Sequence, residues 1–226
     1  MEKYLKNTVQ KQAVPYHNLI FDLDGTLIDT ERAVLKTWQM TLEEYHYRYS
    51  LEELRCVLGI TTKNALALLH VTADASFEQN WMKNYEKFAA EASFFPGTEE
   101  MLLALKSGGC SLGVVTSRCR KEYRDYFSVF HLEELFGRII CADETAKHKP
   151  EPDPLYKYAE LEKVELSDCI YIGDMPTDVA CAKKAGMAAG FVLWNNSKIL
   201  CPEADFHFHT PEELLELLLP KEGSGK

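Results

Sequence analysis

The chain has 226 residues, 46% hydrophobic and 27% charged, the make-up of a globular protein that can bury one large core or a core with an inserted module. A formal charge of −10 argues against a broad phosphate-backbone footprint, and so against nucleic acid, but leaves small phosphorylated ligands open because these respond to local field. No stretch approaches the roughly 18–20 apolar residues that cross a bilayer, so no membrane-spanning helix is expected.

Seven cysteines, odd in number and never spaced as Cys-x-x-Cys, point to reduced thiols in a cytoplasmic protein rather than disulfides or a zinc site. Residues 1–14 read as a polar extension without the apolar core of a signal peptide. Leu19, Ile20 and Phe21 form an apolar run, as expected of a parallel strand covered on both faces. That run ends abruptly in two acids, Asp22 and Asp24. Positions i and i+2 share a face, so both carboxylates converge on one cleft if the chain stays extended between them. Two acids held together repel, and either a proton or a hard oxygen-seeking cation such as Mg²⁺ relieves them. Gly25 permits a sharp departure and Thr26 offers a hydroxyl to fix it. A strand followed by an Asx-turn accounts for Gly25 and one Asp, but not for both acids.

Residues 31–92 are rich in helix formers and nearly free of Gly and Pro. Asp29 or Thr30 can cap the first helix, with Val34, Leu35, Trp38 and Leu42 at helical spacing. Further helices are predicted over 51–58, 62–70 and 76–91, with the break at 58–61 as the clearest interruption. Phe95-Pro96-Gly97 then marks a boundary. Beyond it, helices over 98–106, 120–130, 154–161, 177–185 and 211–219 alternate with strands over 111–115, 138–141, 169–172 and 188–193. Residues 206–209 alternate Phe and His, the pattern of a strand with one exposed face, and less so of a metal-binding His pair. The alternation predicts an α/β fold, a doubly wound parallel sheet of Rossmann-like type, with a helical cap inserted after its first strand. The expected division is 1–14 extension, 15–30 and 96–220 core, 31–95 cap, and 221–226 flexible tail.

Polar clusters follow the strands at their C-terminal ends, the edge where open α/β sheets bind ligands. Asp22 and Asp24 end the first strand, and Thr116 and Ser117 the second. Lys149 follows the third, and Asp174 and Asp178, within Gly-Asp-Met-Pro-Thr-Asp, follow the fourth. With strand order 3-2-1-4-5, Asp174 faces Asp22 across a crevice. Singly, each cluster has an ordinary reading: a turn threonine, a solvated lysine, a helix cap, or an acid suited to a helix N-terminus. Likewise His148 either lines the cleft or is solvated, and Trp194-Asn195-Asn196 either borders the cation site or is a plain loop.

Taken in this order, the clusters resemble the four motifs of the haloacid dehalogenase-like hydrolase superfamily, beginning with Asp-x-Asp-Gly-Thr-Leu. The resemblance spans about residues 17–210 and is to the phosphoglycolate phosphatase-like and β-phosphoglucomutase-like branch with a helical cap. It implies a phosphatase of a small phosphorylated metabolite, working through an aspartyl-phosphate. On it, Asp22 is the nucleophile and Asp24 the general acid/base. Mg²⁺ is held by Asp22, the backbone carbonyl of Asp24, and Asp174. Thr116 and Lys149 attend the phosphoryl oxygens. Asp178, Ser117 and Gly25 support the site. Asp178 is expected to orient Asp174, Lys149 or a metal-bound water. The cap loop of relatives faces the active site, which makes Thr61, Thr62 and Lys63 candidate substrate contacts, although an ordinary helix start explains them equally. Asp24 argues against a dehalogenase, and Gly173, where mutases typically carry Glu, tilts against a sugar-phosphate mutase. A non-catalytic binding protein on the same fold is the third reading. Ser117 and Met175 depart from the residues common in relatives, which puts substrate preference in question. A monomer or weak homodimer is expected.

Overall fold

Leu19, Ile20 and Phe21 are fully buried, as are Val114, Val115, Ile170 and Ile172 on the neighbouring strands, because the sheet that carries them is covered on both faces. The computed structural model describes residues 16–58, 62–195 and 199–219. The 1–14 extension, the 221–226 tail, Thr61 and Asn196 lie outside the described residues. The chain opens on β1 (Asn18–Phe21), loops into β2 (Ile28–Asp29), and runs through α1 (Glu31–Glu44), α2 (Leu51–Leu54), α3 (Thr62–Leu68) and α4 (Phe77–Tyr85) before returning on β3 (Ser93–Phe94). Alternation follows with α5 (Thr98–Ser107), β4 (Ser111–Val115), α6 (Arg120–Glu122), α7 (Leu132–Leu135), β5 (Arg138–Ile140) and α8 (Asp153–Glu162). The chain closes with β6 (Cys169–Gly173), α9 (Pro176–Ala185), β7 (Ala188–Val192), β8 (Phe206–Phe208) and α10 (Pro211–Leu218).

Six strands form one parallel sheet in the order β5-β4-β1-β6-β7-β8. The expected order 3-2-1-4-5 is its first five members, and the Phe/His segment adds the sixth at the edge, with Phe208 buried and His207 exposed. Register positions the site. Phe21 lies opposite both Val114 and Ile172, so Asp22 comes beside Val115 and Gly173, one residue short of Thr116 and Asp174.

Between β2 and β3 the helices close on an apolar cluster of their own, in which Leu35, Trp38 and Leu42 of α1 pack with Leu54, Val57, Ala65 and Phe77. This cluster is distinct from those on the two faces of the sheet. The two-residue strands β2 and β3 pair antiparallel, Ile28 with Phe94, at the two crossings between sheet and helices. Sequence reading missed them because two residues are too short to show a period. Another departure lies after β4. The helix expected over 120–130 begins as α6, then widens into a π-turn over Tyr123–Phe127 and ends in a 3₁₀ turn. That irregular turn buries Tyr126 and Phe127 beneath the end of α4. All seven cysteines are free thiols. Among the described residues no helix is long and apolar enough to cross a membrane.

Candidate active site

The amide of Asp22 donates to Ile172 O (2.8 Å), which ties the first acid to the neighbouring strand at the sheet's C-terminal edge. The chain then turns tightly, with Gly25 N donating to Ile28 O at 2.9 Å. Gly25 has φ of +75°, and a Cβ there would lie 2.3 Å from Asp174 Oδ2, so both backbone conformation and close approach require glycine. Asp174 itself is 8% exposed. Its Oδ2 accepts from Asn195 Nδ2 (2.9 Å) and its Oδ1 from Thr26 Oγ1 (3.4 Å). Trp194 Nε1 donates to Thr26 O (2.9 Å) and Asn195 Nδ2 to Gly25 O (2.9 Å), so the loop after β7 does border the cluster.

Lys149 reaches in from the loop after β5, its side chain only 7% exposed. Its Nζ donates to Asp22 Oδ1 at 2.8 Å and to Asp178 Oδ1 at 2.7 Å. Asp178, on the first turn of α9, also accepts from Tyr171 Oη (3.2 Å) and from the amide of Met175 (3.0 Å). A Cβ on Gly173 would come 2.4 Å from Asp178 Cγ, so the acid occupies the space a side chain at 173 would need. Asp22, Asp174 and Asp178 each bring a carboxylate oxygen within 4.8 Å of the others. Thr116 is buried and its Oγ1 accepts from the amide of Arg118 at 3.1 Å, while Ser117 is exposed.

Electrostatics follow from this crowding. Burial, with Asp178 adding its charge, pushes the Asp22 carboxyl up to about 7 despite Lys149. Burial and the charges of Asp178 and Asp22 likewise push Asp174 well above the ordinary carboxylate range. Burial works to lower the Lys149 ammonium, but Asp178 and Asp22 outweigh it and hold its pKa above the usual lysine value. The donors on Asp174, Thr26 and Asn195, are both neutral, and Asp22 shares its one cation with Asp178. A divalent, oxygen-seeking ion suits such a deficit. Asp22, Asp174 and Asp178 are close enough to share one, although Asp178 already accepts from Lys149, Tyr171 and the Met175 amide.

Asp24 takes a different environment from the one expected of two acids sharing a cation. Arg118 grips it as a fork, Nη2 to Oδ1 at 2.8 Å and Nε to Oδ2 at 3.1 Å, and Thr30 Oγ1 donates to Oδ1 at 2.8 Å. Burial alone would raise the Asp24 carboxyl, but the Arg118 charge and hydrogen bonds outweigh it and hold it below the usual range. Thr30 therefore does not cap α1. Asp29 does, its Oδ1 accepting from Glu31 N at 3.1 Å. Arg118 also contacts Glu122 Oε1 at 3.3 Å, and its guanidinium lies 5.0 Å from the Tyr85 ring and 5.5 Å from the Phe127 ring. Sequence reasoning missed Arg118, although it follows a strand end like every other site residue.

Other candidates lie elsewhere. Thr62 and Lys63 open α3, with Lys63 exposed, and neither has a polar contact with the acid cluster among the described residues. His148 is exposed. His207 Nε2 lies 2.9 Å from Cys201 O, and the His209 amide donates to Glu213, so this pair serves local structure.

The family described as haloacid dehalogenase-like hydrolase matches residues 19–192. A phosphoglycolate phosphatase of Xanthomonas campestris pv. campestris is 31% identical over 213 residues, covering 88% of this chain and 94% of its own. A protein of Caldanaerobacter subterraneus provisionally named pyrophosphatase PpaX is 30% identical over 186 residues, 78% of this chain and 81% of its own. Among solved structures, one from Bacteroides fragilis, provisionally called a haloacid dehalogenase-like hydrolase, superposes with a TM-score of 0.78 at 25% identity, covering 88% of this chain and 99% of its own.

Proposed function

The chain belongs to the haloacid dehalogenase-like hydrolase family, and within it we propose a Mg²⁺-dependent phosphatase that hydrolyses a small phosphorylated metabolite through an aspartyl-phosphate on Asp22. The activity class is that of its relatives, a phosphoglycolate phosphatase and a pyrophosphatase among them. The observation that carries the reading is the buried cluster of Asp22, Asp174 and Asp178 around Lys149 at the C-terminal edge of the sheet.

Asp22, Asp174 and the backbone carbonyl of Asp24 would hold the ion. Bound there, Mg²⁺ supplies a Lewis acid that offsets the charge brought together when a phosphoryl group meets carboxylates. A carboxylate oxygen of Asp22 attacks phosphorus, the bond to the leaving oxygen breaks, and Asp24 delivers a proton to that oxygen. In the second step Asp24 takes a proton from water, the water oxygen attacks phosphorus, and the bond to Asp22 breaks to release phosphate. Lys149 and the Thr116 hydroxyl hold the phosphoryl oxygens. Asp178 fixes Lys149 at 2.7 Å, which makes it a positioning residue.

The helical block over 31–95 acts as a cap that excludes water, with Thr61, Thr62 and Lys63 as substrate contacts in the closed state. Mutases of this superfamily typically carry Glu at the position of Gly173, where Asp178 already occupies the space a side chain would need, which supports hydrolysis over the mutase reading. Phosphate release from a panel of phosphorylated metabolites, with and without Mg²⁺, tests the proposal. Mg²⁺-dependent release that vanishes in Asp22→Asn is the expected result. A panel without turnover, with ligands still binding, leaves the non-catalytic reading instead.

A further inference from the structure

Arg118 is held more firmly than a surface arginine. One face of its guanidinium lies 5.0 Å from Tyr85 of α4 and another 5.5 Å from Phe127 of the π-turn, and its side chain is 12% exposed. Glu122 holds a third side at 3.3 Å. Its remaining edge is spent on Asp24, whose two oxygens both accept from it. With both of its oxygens turned to Arg118, this carboxyl is not turned to a leaving group. Something must take its place on the fork before Asp24 can act, and the group best matched to a guanidinium fork is another planar or tetrahedral oxyanion.

Tyr85, whose ring lies 5.0 Å from the guanidinium, and Trp81, stacked on Tyr85, carry donors without work. Tyr85 is fully buried and Trp81 is half-buried, and among the described residues neither the Tyr85 hydroxyl nor Trp81 Nε1 has a hydrogen-bond partner. The two rings stack at 5.3 Å, and the Tyr85 hydroxyl lies within the fields of Arg118, Asp24 and Glu122. Buried donors left unpaired are costly, so a ligand that paired with them would gain on binding.

We propose that Arg118 is the receptor for an anionic group on the leaving side of the substrate, and that this anion frees Asp24 by taking the guanidinium fork from it. The inference rests on the reading that Asp22 and Asp24 carry phosphoryl transfer. It narrows the substrate class to phosphate compounds whose leaving group bears a carboxylate or second phosphoryl group close to the bridging oxygen. Asp24 must stand at that oxygen, and Arg118 stands directly beside Asp24. Esters of neutral alcohols leave the clamp closed and are poor substrates.

The test compares wild type, Arg118→Gln and Arg118→Lys on 2-phosphoglycolate, inorganic pyrophosphate and ethyl phosphate, all with Mg²⁺. Wild type prefers one anionic compound over ethyl phosphate in kcat/KM, and the first two arms tell carboxylate from phosphoryl. Arg118→Gln lowers that preference about 10- to 100-fold, the range of a charge-assisted hydrogen-bonded pair, while Arg118→Lys retains part of it. A variant that loses all activities together, with the preference unchanged, shows a structural arginine and overturns the proposal. So does a wild type without preference.

A binding arm needs no turnover. Asp22→Asn, with and without Arg118→Gln, is titrated with phosphonoacetate and methylphosphonate. Tighter binding of phosphonoacetate that disappears with Arg118 supports the receptor even if no ester is hydrolysed, in which case the phosphatase reading alone fails. If pyrophosphate is the preferred substrate, methylenediphosphonate takes the place of phosphonoacetate. Equal binding of methylphosphonate and of the ligand with the second anionic group overturns the receptor whatever the activity.

Discussion

Mg²⁺ affinity and its pH dependence are the most direct consequence of the buried acids. Asp22 titrates near 7 in the metal-free protein, against about 3.9 for a free aspartate. The folded chain therefore keeps a proton that the unfolded chain has lost between about pH 4 and 7, and the metal-free fold loses stability as pH rises through that window. A cation must displace that proton, so binding strengthens with pH. From pH 6 to pH 8 Asp22 goes from about nine-tenths protonated to about one-tenth, which changes apparent affinity about tenfold, and Asp174, also raised, steepens the dependence. At pH 8, Mg²⁺ at about a hundred times Kd contributes about 2.7 kcal/mol, or about 5–10 °C in Tm for a chain of this size. The same concentration at pH 6 contributes about 1.4 kcal/mol and about half that shift. Calorimetric titration and thermal melts at the two pH values make the measurement, with proton release read from buffers of different ionisation enthalpy. Asp22→Asn should flatten most of the pH dependence. Equal Mg²⁺ affinity at pH 6 and pH 8 in the wild type would refute the argument that burial and like charge hold a proton on this cluster.

Three further outcomes follow from particular contacts. Gly25→Ala places a methyl 2.3 Å from Asp174 Oδ2 at a positive φ, and should weaken Mg²⁺ binding at least about tenfold by calorimetry while costing about 1–2 kcal/mol in a denaturant melt. Lys149→Met leaves Asp22 and Asp178 buried without their shared cation, and should cost about 3–5 kcal/mol near neutral pH, less at pH 5 as Asp22 is protonated. An equal cost at both pH values would show that packing alone accounts for it. Asp24→Asn keeps the backbone carbonyl and should slow cleavage of alkyl phosphates about 10²–10⁴-fold, and of aryl phosphates less, because their leaving groups need less protonation. A uniform loss accompanied by lost Mg²⁺ affinity would move Asp24 from proton transfer to the metal.

What could be read from residues alone has a physical pattern. Asp22, Thr116, Lys149, Asp174 and Asp178 were legible because each follows an apolar strand, and parallel strands in register deliver their ends to one edge. Tyr85 and Trp81 were not, since two aromatics at i and i+4 on a helix read as core, and nothing local reveals that one donor of each would be left unpaired. Arg118 was hidden by company. It precedes Arg120, Lys121 and Arg124 on a segment that reads as a solvated basic surface, and only the fold brings the Tyr85 ring of α4 and the Phe127 ring of the π-turn against its guanidinium. Sequence left Asp29 and Thr30 as alternative caps of α1, because either type before a helix can be one, and the structure gives the capping contact to Asp29 while the Thr30 hydroxyl goes to Asp24.

These missed contacts change how the two acids of the first motif are understood. Spacing placed both carboxylates in one cleft, relieved by a proton or a cation, whereas the folded chain gives each its own neighbours. Asp22 shares Lys149 with Asp178 and is pushed towards neutrality, while Asp24 takes two hydrogen bonds from Arg118 and one from Thr30 and is held as a carboxylate. Titrating groups pushed apart in this way are suited to different tasks within one reaction. On the proposed mechanism, Asp22 needs a cation beside it before it can serve as an unprotonated nucleophile, and Asp24 needs to lose one before it can carry a proton. A divalent ion held with Asp174 would meet the first requirement, and an anion on the leaving group would meet the second by taking Arg118. On that reading, a substrate with a neutral leaving group leaves the second requirement unmet.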